Sequence, residues 1–143
     1  MKQANEHLSP DEKKAIEVFV KRLLVELGQD VTDVRLFGSK ARGEAGSDSD
    51  LDVLVLVQRP DYALKHAILW LAAEVSLAYN VLLSPRVVPL TAWQEMVEAD
   101  TLFYRTICTE GIPLENLLTS AFVYLAHQAI FSYHFNSLTD SAT

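Results

Sequence analysis

The sequence predicts an α/β or α+β domain in which helices cover a small mixed sheet. Two apolar runs rich in β-branched residues, Val31–Phe37 and Leu51–Val57, are typical of strands. The second run is continuous enough to be buried on both faces. Apolar residues recur at helical spacing before and after these runs. The length of 143 residues, 50% of them hydrophobic, suits one globular domain and excludes a long disordered chain.

The first element is a helix with clear start and stop signals. Ser9 and Glu12 form a capping box, and Pro10 occupies the first helical position. Gly28 ends the apolar stripe that follows. We therefore expect a helix from Pro10 to the residue before Gly28.

The second half of the domain alternates between helix and strand. Residues 59–61 open a long helix, and residues 81–88 predict a third strand. Pro85 places that strand at a sheet edge or a bulge, because proline lacks the N–H group that a central strand needs. A further helix covers residues 101–110 and ends at Gly111.

The charge balance restricts the partners. The chain carries 12 Lys and Arg against 19 Asp and Glu, a net charge of −7, which argues against a long nucleic acid as partner. Cys108 is the single cysteine and excludes an internal disulfide framework. The polar N-terminal residues lack the apolar stretch of a signal peptide. We therefore expect a cytoplasmic protein.

The C-terminal residues differ in composition from the rest, so we divide the chain into a domain over 1–114 and an extension over 115–143. No Asp, Glu, Lys or Arg occurs between residues 116 and 139. Polar residues within the stretch and the lack of flanking positive charges argue against a membrane span. We expect an apolar helix that packs on the domain or on another subunit of a homo- or hetero-oligomer.

Two acidic residues lie at the entry to the second strand. Asp50 and Asp52 are two positions apart, so both side chains point to one face. Two neighbouring carboxylates repel each other unless a cation neutralises them, and Mg²⁺ is commonly held by one or two carboxylates together with substrate phosphates. The alternative is that these acids merely begin a strand in solvent.

A small polar segment follows the first strand. Gly38 would let the backbone approach a ligand, and Ser39 offers a hydroxyl and an N–H group at the start of a loop or short helix. Arg42 follows one turn later and could grip a phosphate. A surface turn is the alternative. A P-loop is excluded, because Glu44 and Ala45 stand where Lys and Ser or Thr are required.

Three further basic residues receive no firm assignment. Lys65 and Arg86 could reach a phosphate, and each could equally be a solvated surface charge. Lys40 lies inside the polar segment, and no role is assigned to it.

The order of these features resembles the minimal nucleotidyltransferase family of the DNA polymerase β superfamily. The signature of that family is a Gly-Ser pair, an Ala-Arg-Gly triplet and Ser-Asp-x-Asp ahead of an apolar strand. The matching residues are Gly38-Ser39, Ala41-Arg42-Gly43 and Ser49-Asp50-Leu51-Asp52.

The resemblance implies a polymerase β palm-like fold and a Mg²⁺-dependent enzyme. Members transfer a nucleoside monophosphate, such as AMP from ATP, to a hydroxyl of a protein or small molecule. By this resemblance Asp50 and Asp52 are the catalytic, metal-binding residues. The nucleotide-binding residues are Gly38, Ser39, Arg42 and Ser49.

One departure from the family concerns a third carboxylate, which usually stands on a neighbouring strand. The matching residues 80–88 contain no Asp or Glu, so Leu82 or Ser84 occupies that position. Either Asp61 or Glu74 replaces the third carboxylate from another element, or the nucleotidyl transfer is weakened.

The resemblance also suggests a partner, because small family members often act as antitoxins of HEPN-domain ribonuclease toxins. The expected function is therefore nucleotidyl transfer, with such a toxin as the partner protein. The alternative is a weak or inactive nucleotide-binding module that neutralises its partner by direct contact.

Overall fold

The computed structural model describes residues 8–44 and 49–114. The expected C-terminal helix over 115–143 lies outside these residues. The elements in chain order are α1 (Pro10–Leu27), β1 (Val31–Phe37), α2 (Ser39–Arg42), β2 (Leu51–Val57), α3 (Tyr62–Tyr79), β3 (Leu83–Pro89), α4 (Leu90–Glu98), α5 (Leu102–Glu110) and β4 (Ile112–Pro113).

The four strands form one mixed sheet in the order β3-β2-β1-β4. β1 is antiparallel to both β2 and β4, whereas β2 and β3 are parallel and joined by α3. A parallel pair needs such a crossover, and an antiparallel pair does not. The mixed α/β architecture predicted from the sequence is confirmed.

The local signals are also reproduced. Ser9 caps α1 and accepts a hydrogen bond from the Glu12 N–H, while Glu12 accepts one from the Ser9 N–H. β1 and β2 have the bounds predicted for them. β3 begins at Leu83, two residues later than predicted, and Pro85 is tolerated because β3 is an edge strand.

Each face of the sheet is covered by a different pair of helices. α1 and α3 pack on one face against Val53 and Val55 of β2, and α4 and α5 pack on the other against Leu54 and Leu56. Side chains alternate along a strand. The same alternation therefore directs Asp52 to the face that carries α4 and α5.

No helix within residues 8–44 and 49–114 combines the length and the apolar character needed to cross a bilayer.

Candidate active site

The candidate site is centred on Asp52, the second residue of the middle strand β2. Its partner on β1 is Phe37, and its partner on β3 is Ser84. Residues directly opposite each other in neighbouring strands point to the same face. Asp52 is thus flanked by the end of β1 on one side and by β3 on the other.

Gly38 brings the turn after β1 against this carboxylate. Its φ of 80° lies in the region that glycine adopts readily and other residues avoid. A β-carbon added at Gly38 would overlap Asp52 Oδ2 and would lie 3.2 Å from Asp52 Cγ. Glycine is therefore required here both by the backbone conformation and by the close approach to Asp52.

The electrostatics of Asp52 favour a bound cation. Burial and, next, the negative charge of Asp50 raise the pKa of the Asp52 carboxyl above its ordinary value, while the charge of Arg42 acts in the opposite direction. A divalent cation would relieve this repulsion, and carboxylate oxygens are the ligands that Mg²⁺ prefers. The described residues hold no cluster of three potential metal ligands, and Mg²⁺ held by one or two carboxylates takes waters and substrate phosphate oxygens as its other ligands.

The short helix α2, which begins with Ser39, is anchored through Lys40. The Lys40 side chain is almost fully buried, and its Nζ lies 2.7 Å from Glu12 Oε2. Burial tends to raise the pKa of Glu12, but the hydrogen bonds from Lys40 and Ser9 outweigh it and lower that pKa. The polar segment is thus tied to the start of α1, a role for Lys40 that the sequence did not reveal.

Arg42 is half-exposed and engaged by two carboxylates. Its Nε lies 2.9 Å from Glu44 Oε2, and its Nη1 lies 2.8 Å from Glu110 Oε2 at the end of α5. Both contacts raise the pKa of Arg42, the Glu44 hydrogen bond most. Arg42 is close enough for its charge to act on Asp52, yet its guanidinium is already occupied.

Ser49 has different neighbours. It lines a cleft of about 450 Å³ together with Ser9 and Glu12 of the α1 start and Leu82 ahead of β3. Gly38 and Asp52 are not among the described residues that line this cleft. The structure therefore brings Gly38, Asp50, Asp52 and Arg42 together and places Ser49 beside them, at the cleft.

The residue opposite Asp52 on β3 is Ser84, whereas Leu82 lies just before the strand begins. Neither of the two acids considered as replacements is near. Asp61 caps α3 beyond the far end of β2, where its Oδ1 accepts the Leu64 N–H. Glu74 accepts hydrogen bonds from Arg22 and Trp70.

Two acids at the entry to a central strand, Asp50 just before β2 and Asp52 within it, can hold a Mg²⁺ ion together with substrate phosphates, which is the chemistry that nucleotide transfer requires. Comparison with known families agrees with this chemistry. The family of nucleotidyltransferase domains matches residues 14–108. The chain belongs to this family, and it is a nucleotidyltransferase.

Two kinds of relative are similar to the chain. A Methanocaldococcus jannaschii protein, provisionally classed as a protein adenylyltransferase, is 41% identical over 71 residues, which are 49% of this chain and 72% of that protein. A toxin-antitoxin structure with AMP-PNP is 21% identical, with a TM-score of 0.47, covering 87% of this chain and 90% of that one. The toxin-antitoxin MntA-HepT structure is 18% identical, with a TM-score of 0.45, covering 90% and 91%.

Proposed function

We propose that the chain transfers a nucleoside monophosphate, AMP from ATP, to a hydroxyl of a protein or small molecule. The observation that carries the proposal is the half-buried Asp52 carboxylate, which has the charge of Asp50 beside it and the Gly38 backbone against it. A pair of acids held this way costs stability in the absence of a cation. Such a cost is expected at a site that recruits one.

Asp50 and Asp52 are the residues that would hold Mg²⁺. When bound, Mg²⁺ neutralises the charge that grows on phosphate oxygens during transfer. In the overall reaction the acceptor oxygen bonds to the α-phosphorus, the bond from that phosphorus to the β-phosphate oxygen breaks, and pyrophosphate leaves. Since neither Leu82 nor Ser84 offers a carboxylate as general base, we propose that the hydroxyl proton passes to solvent, at a cost of about 10²–10⁴ in rate.

The test is label transfer from α-labelled ATP. The double variant Asp50→Asn/Asp52→Asn should lose Mg²⁺-dependent nucleotide binding and all label transfer while remaining folded. Glu95→Gln/Glu98→Gln, which removes the same charge from exposed positions of α4, is the matched control. Equal nucleotide binding by the wild type and the Asp double variant would contradict the assignment.

A second candidate is a binding module that neutralises a partner protein by contact. The specific observation in its favour is that the residue opposite Asp52 on β3 is Ser84, and that neither Ser84 nor Leu82, the two candidate positions for the family's third acid, is a carboxylate. The partner that we propose for either candidate is a HEPN-domain toxin. Label on that partner, lost in the Asp double variant, supports the enzyme, and a tight complex without label supports the module.

A further inference from the structure

Most arginines of this acidic chain are paired with carboxylates. Four of the six make ion pairs, namely Arg22 with Glu26 and Glu74, Arg35 with Asp33, Arg42 with Glu44 and Glu110, and Arg105 with Asp100. Within residues 8–44 and 49–114, Arg59 and Arg86 make no such pair. An unpaired arginine is therefore the exception in this molecule.

Arg86 lies on the same face of the sheet as Asp52. Alternate residues of β3 point to the same face, and on one face these are Ser84, Arg86 and Val88. Val88 is buried in the cluster beneath α4 and α5, which identifies that face. Arg86 pairs with Leu54, which belongs to that cluster. Strand spacing and rise place the Arg86 and Asp52 Cα atoms roughly 8 Å apart.

An aromatic ring, not an acid, holds the guanidinium of Arg86. Its Cζ lies 4.5 Å from the centre of the Phe103 ring. Phe103 in turn packs edge-on against Phe37, the β1 partner of Asp52, with ring centres 5.5 Å apart. Through Phe103, the Arg86 guanidinium is therefore connected to Phe37, the residue that pairs with Asp52.

Stacking on a ring leaves the edge of the guanidinium available. The cation–π contact uses the flat face, whereas the five N–H donors of arginine point outward in its plane. That edge can bind two phosphate oxygens at once. Because Ser84 is uncharged, no acid at that position competes with a phosphate for Arg86.

We propose that Arg86 binds the triphosphate of the nucleotide from the β3 side of the site. The proposal rests on the proposed function, which it deepens by naming a phosphate-binding residue. Arg42, whose charge acts on Asp52, is engaged by Glu44 and Glu110, and Lys40 of the same short helix is engaged by Glu12. This role of Arg86 would also explain why β3 carries no acid at Ser84, since a carboxylate beside Arg86 would neutralise its charge.

The test compares the binding of two probes by calorimetry in Mg²⁺. The first is an ATP analogue with a methylene group between the α- and β-phosphates, which prevents turnover, and the second is adenosine. Arg86→Gln should raise the Kd of the ATP analogue about tenfold or more, as expected for hydrogen bonds to charged groups, and leave that of adenosine unchanged. Arg59→Gln, at an exposed arginine beyond the far end of β2, should change neither.

Two further variants separate binding from folding. Arg86→Lys keeps the charge but loses the planar fork, so its affinity should lie between those of the wild type and Arg86→Gln. Phe103→Leu should weaken binding of the ATP analogue without affecting adenosine, because it releases the guanidinium. Thermal unfolding of each variant reports whether the fold is kept.

Each remaining outcome would overturn the proposal in a recognisable way. If the wild type and Arg86→Gln bind the ATP analogue equally, the role of Arg86 is wrong and the proposed function stands. If Arg86→Gln weakens adenosine as much as the ATP analogue, Arg86 contacts the nucleoside and not the phosphates. If the wild type binds no nucleotide, both proposals fail.

Discussion

The backbone of Gly38 lies directly against the carboxylate of Asp52. Gly38 ends the turn after β1, with a φ of 80°, and Asp52 stands at the start of β2. The atoms nearest to an added β-carbon are Oδ2, Cγ and Cβ of Asp52. Two separate parts of the signature thus form one structural unit, in which the turn fixes the position of the acid.

Gly38→Ala should therefore damage the site and the fold together. The new methyl group would displace the Asp52 carboxylate, and the backbone conformation, with φ 80° and ψ −160°, would cost a non-glycine residue about 1–3 kcal/mol. We expect a fall of that size in the free energy of unfolding, measured in urea, and loss of Mg²⁺-dependent nucleotide binding.

The control for Gly38→Ala is Gly43→Ala, because Gly43 also has a positive φ, of 73°. It should lose a similar amount of stability and still bind nucleotide. Retention of full nucleotide affinity by a folded Gly38→Ala protein would show that the close approach has no functional role.

Much of the fold could be predicted because its signals are local. The capping box of Ser9 and Glu12 and the bounds of β1 and β2 depend on residues that are neighbours in sequence. The proximity of Asp50 to Asp52 follows from their separation of two positions at the start of β2. Position along the chain was sufficient for each of these features.

The remaining features depend on contacts between distant segments. Nothing near Lys40 in sequence indicates that Glu12 would neutralise it. The ion pair of Arg42 with Glu110 and the stacking of Arg86 on Phe103 arise only once α5 packs on the sheet. Only the register of β2 and β3 places Ser84, and not Leu82, opposite Asp52.

The contributions of Lys40 and Glu12 to the free energy of unfolding should depend strongly on each other, because the two residues form an ion pair. Both side chains are largely buried, with exposed fractions of 5% and 10%. Removing one partner leaves a buried charge, so Lys40→Met and Glu12→Gln should each cost about 3 kcal/mol. In a double-mutant cycle by urea unfolding, the combined variant should lose less than the sum. Additive losses would show that the pair contributes nothing.

The same pair predicts how stability depends on pH. Hydrogen bonds from Lys40 and Ser9 outweigh burial, so the pKa of Glu12 is lower in the folded than in the unfolded chain. The stabilisation is therefore complete above the unfolded pKa of about 4.3 and is lost as the pH falls through the folded pKa. In unfolding measurements from pH 7 to pH 3, the difference between wild type and Glu12→Gln should shrink at the acid end. A constant difference would contradict this.

Asp52→Asn should stabilise the metal-free protein. Burial and the charge of Asp50 disfavour the ionised carboxylate in the folded state, so its pKa is raised. A neutral amide removes this penalty, and the midpoint of thermal unfolding in EDTA at pH 7 should rise. Asp33→Asn is the control, because Asp33 is paired with Arg35 at 2.7 Å and its loss should lower the midpoint. A lower midpoint for Asp52→Asn would mean that the acid stabilises the fold.

The ion pair with Glu110 should weaken nucleotide binding by Arg42. Glu110 Oε2 holds Arg42 Nη1 at 2.8 Å, and a guanidinium engaged in this way is less available to a phosphate. Glu110→Gln should therefore lower the Kd of Mg·ATP severalfold, measured by calorimetry. The matched control is Glu26→Gln, which loosens Arg22 on α1 in the same way, away from Asp52, and should leave the Kd unchanged. If Glu110→Gln weakens binding, the ion pair positions Arg42 for the phosphate and does not compete with it.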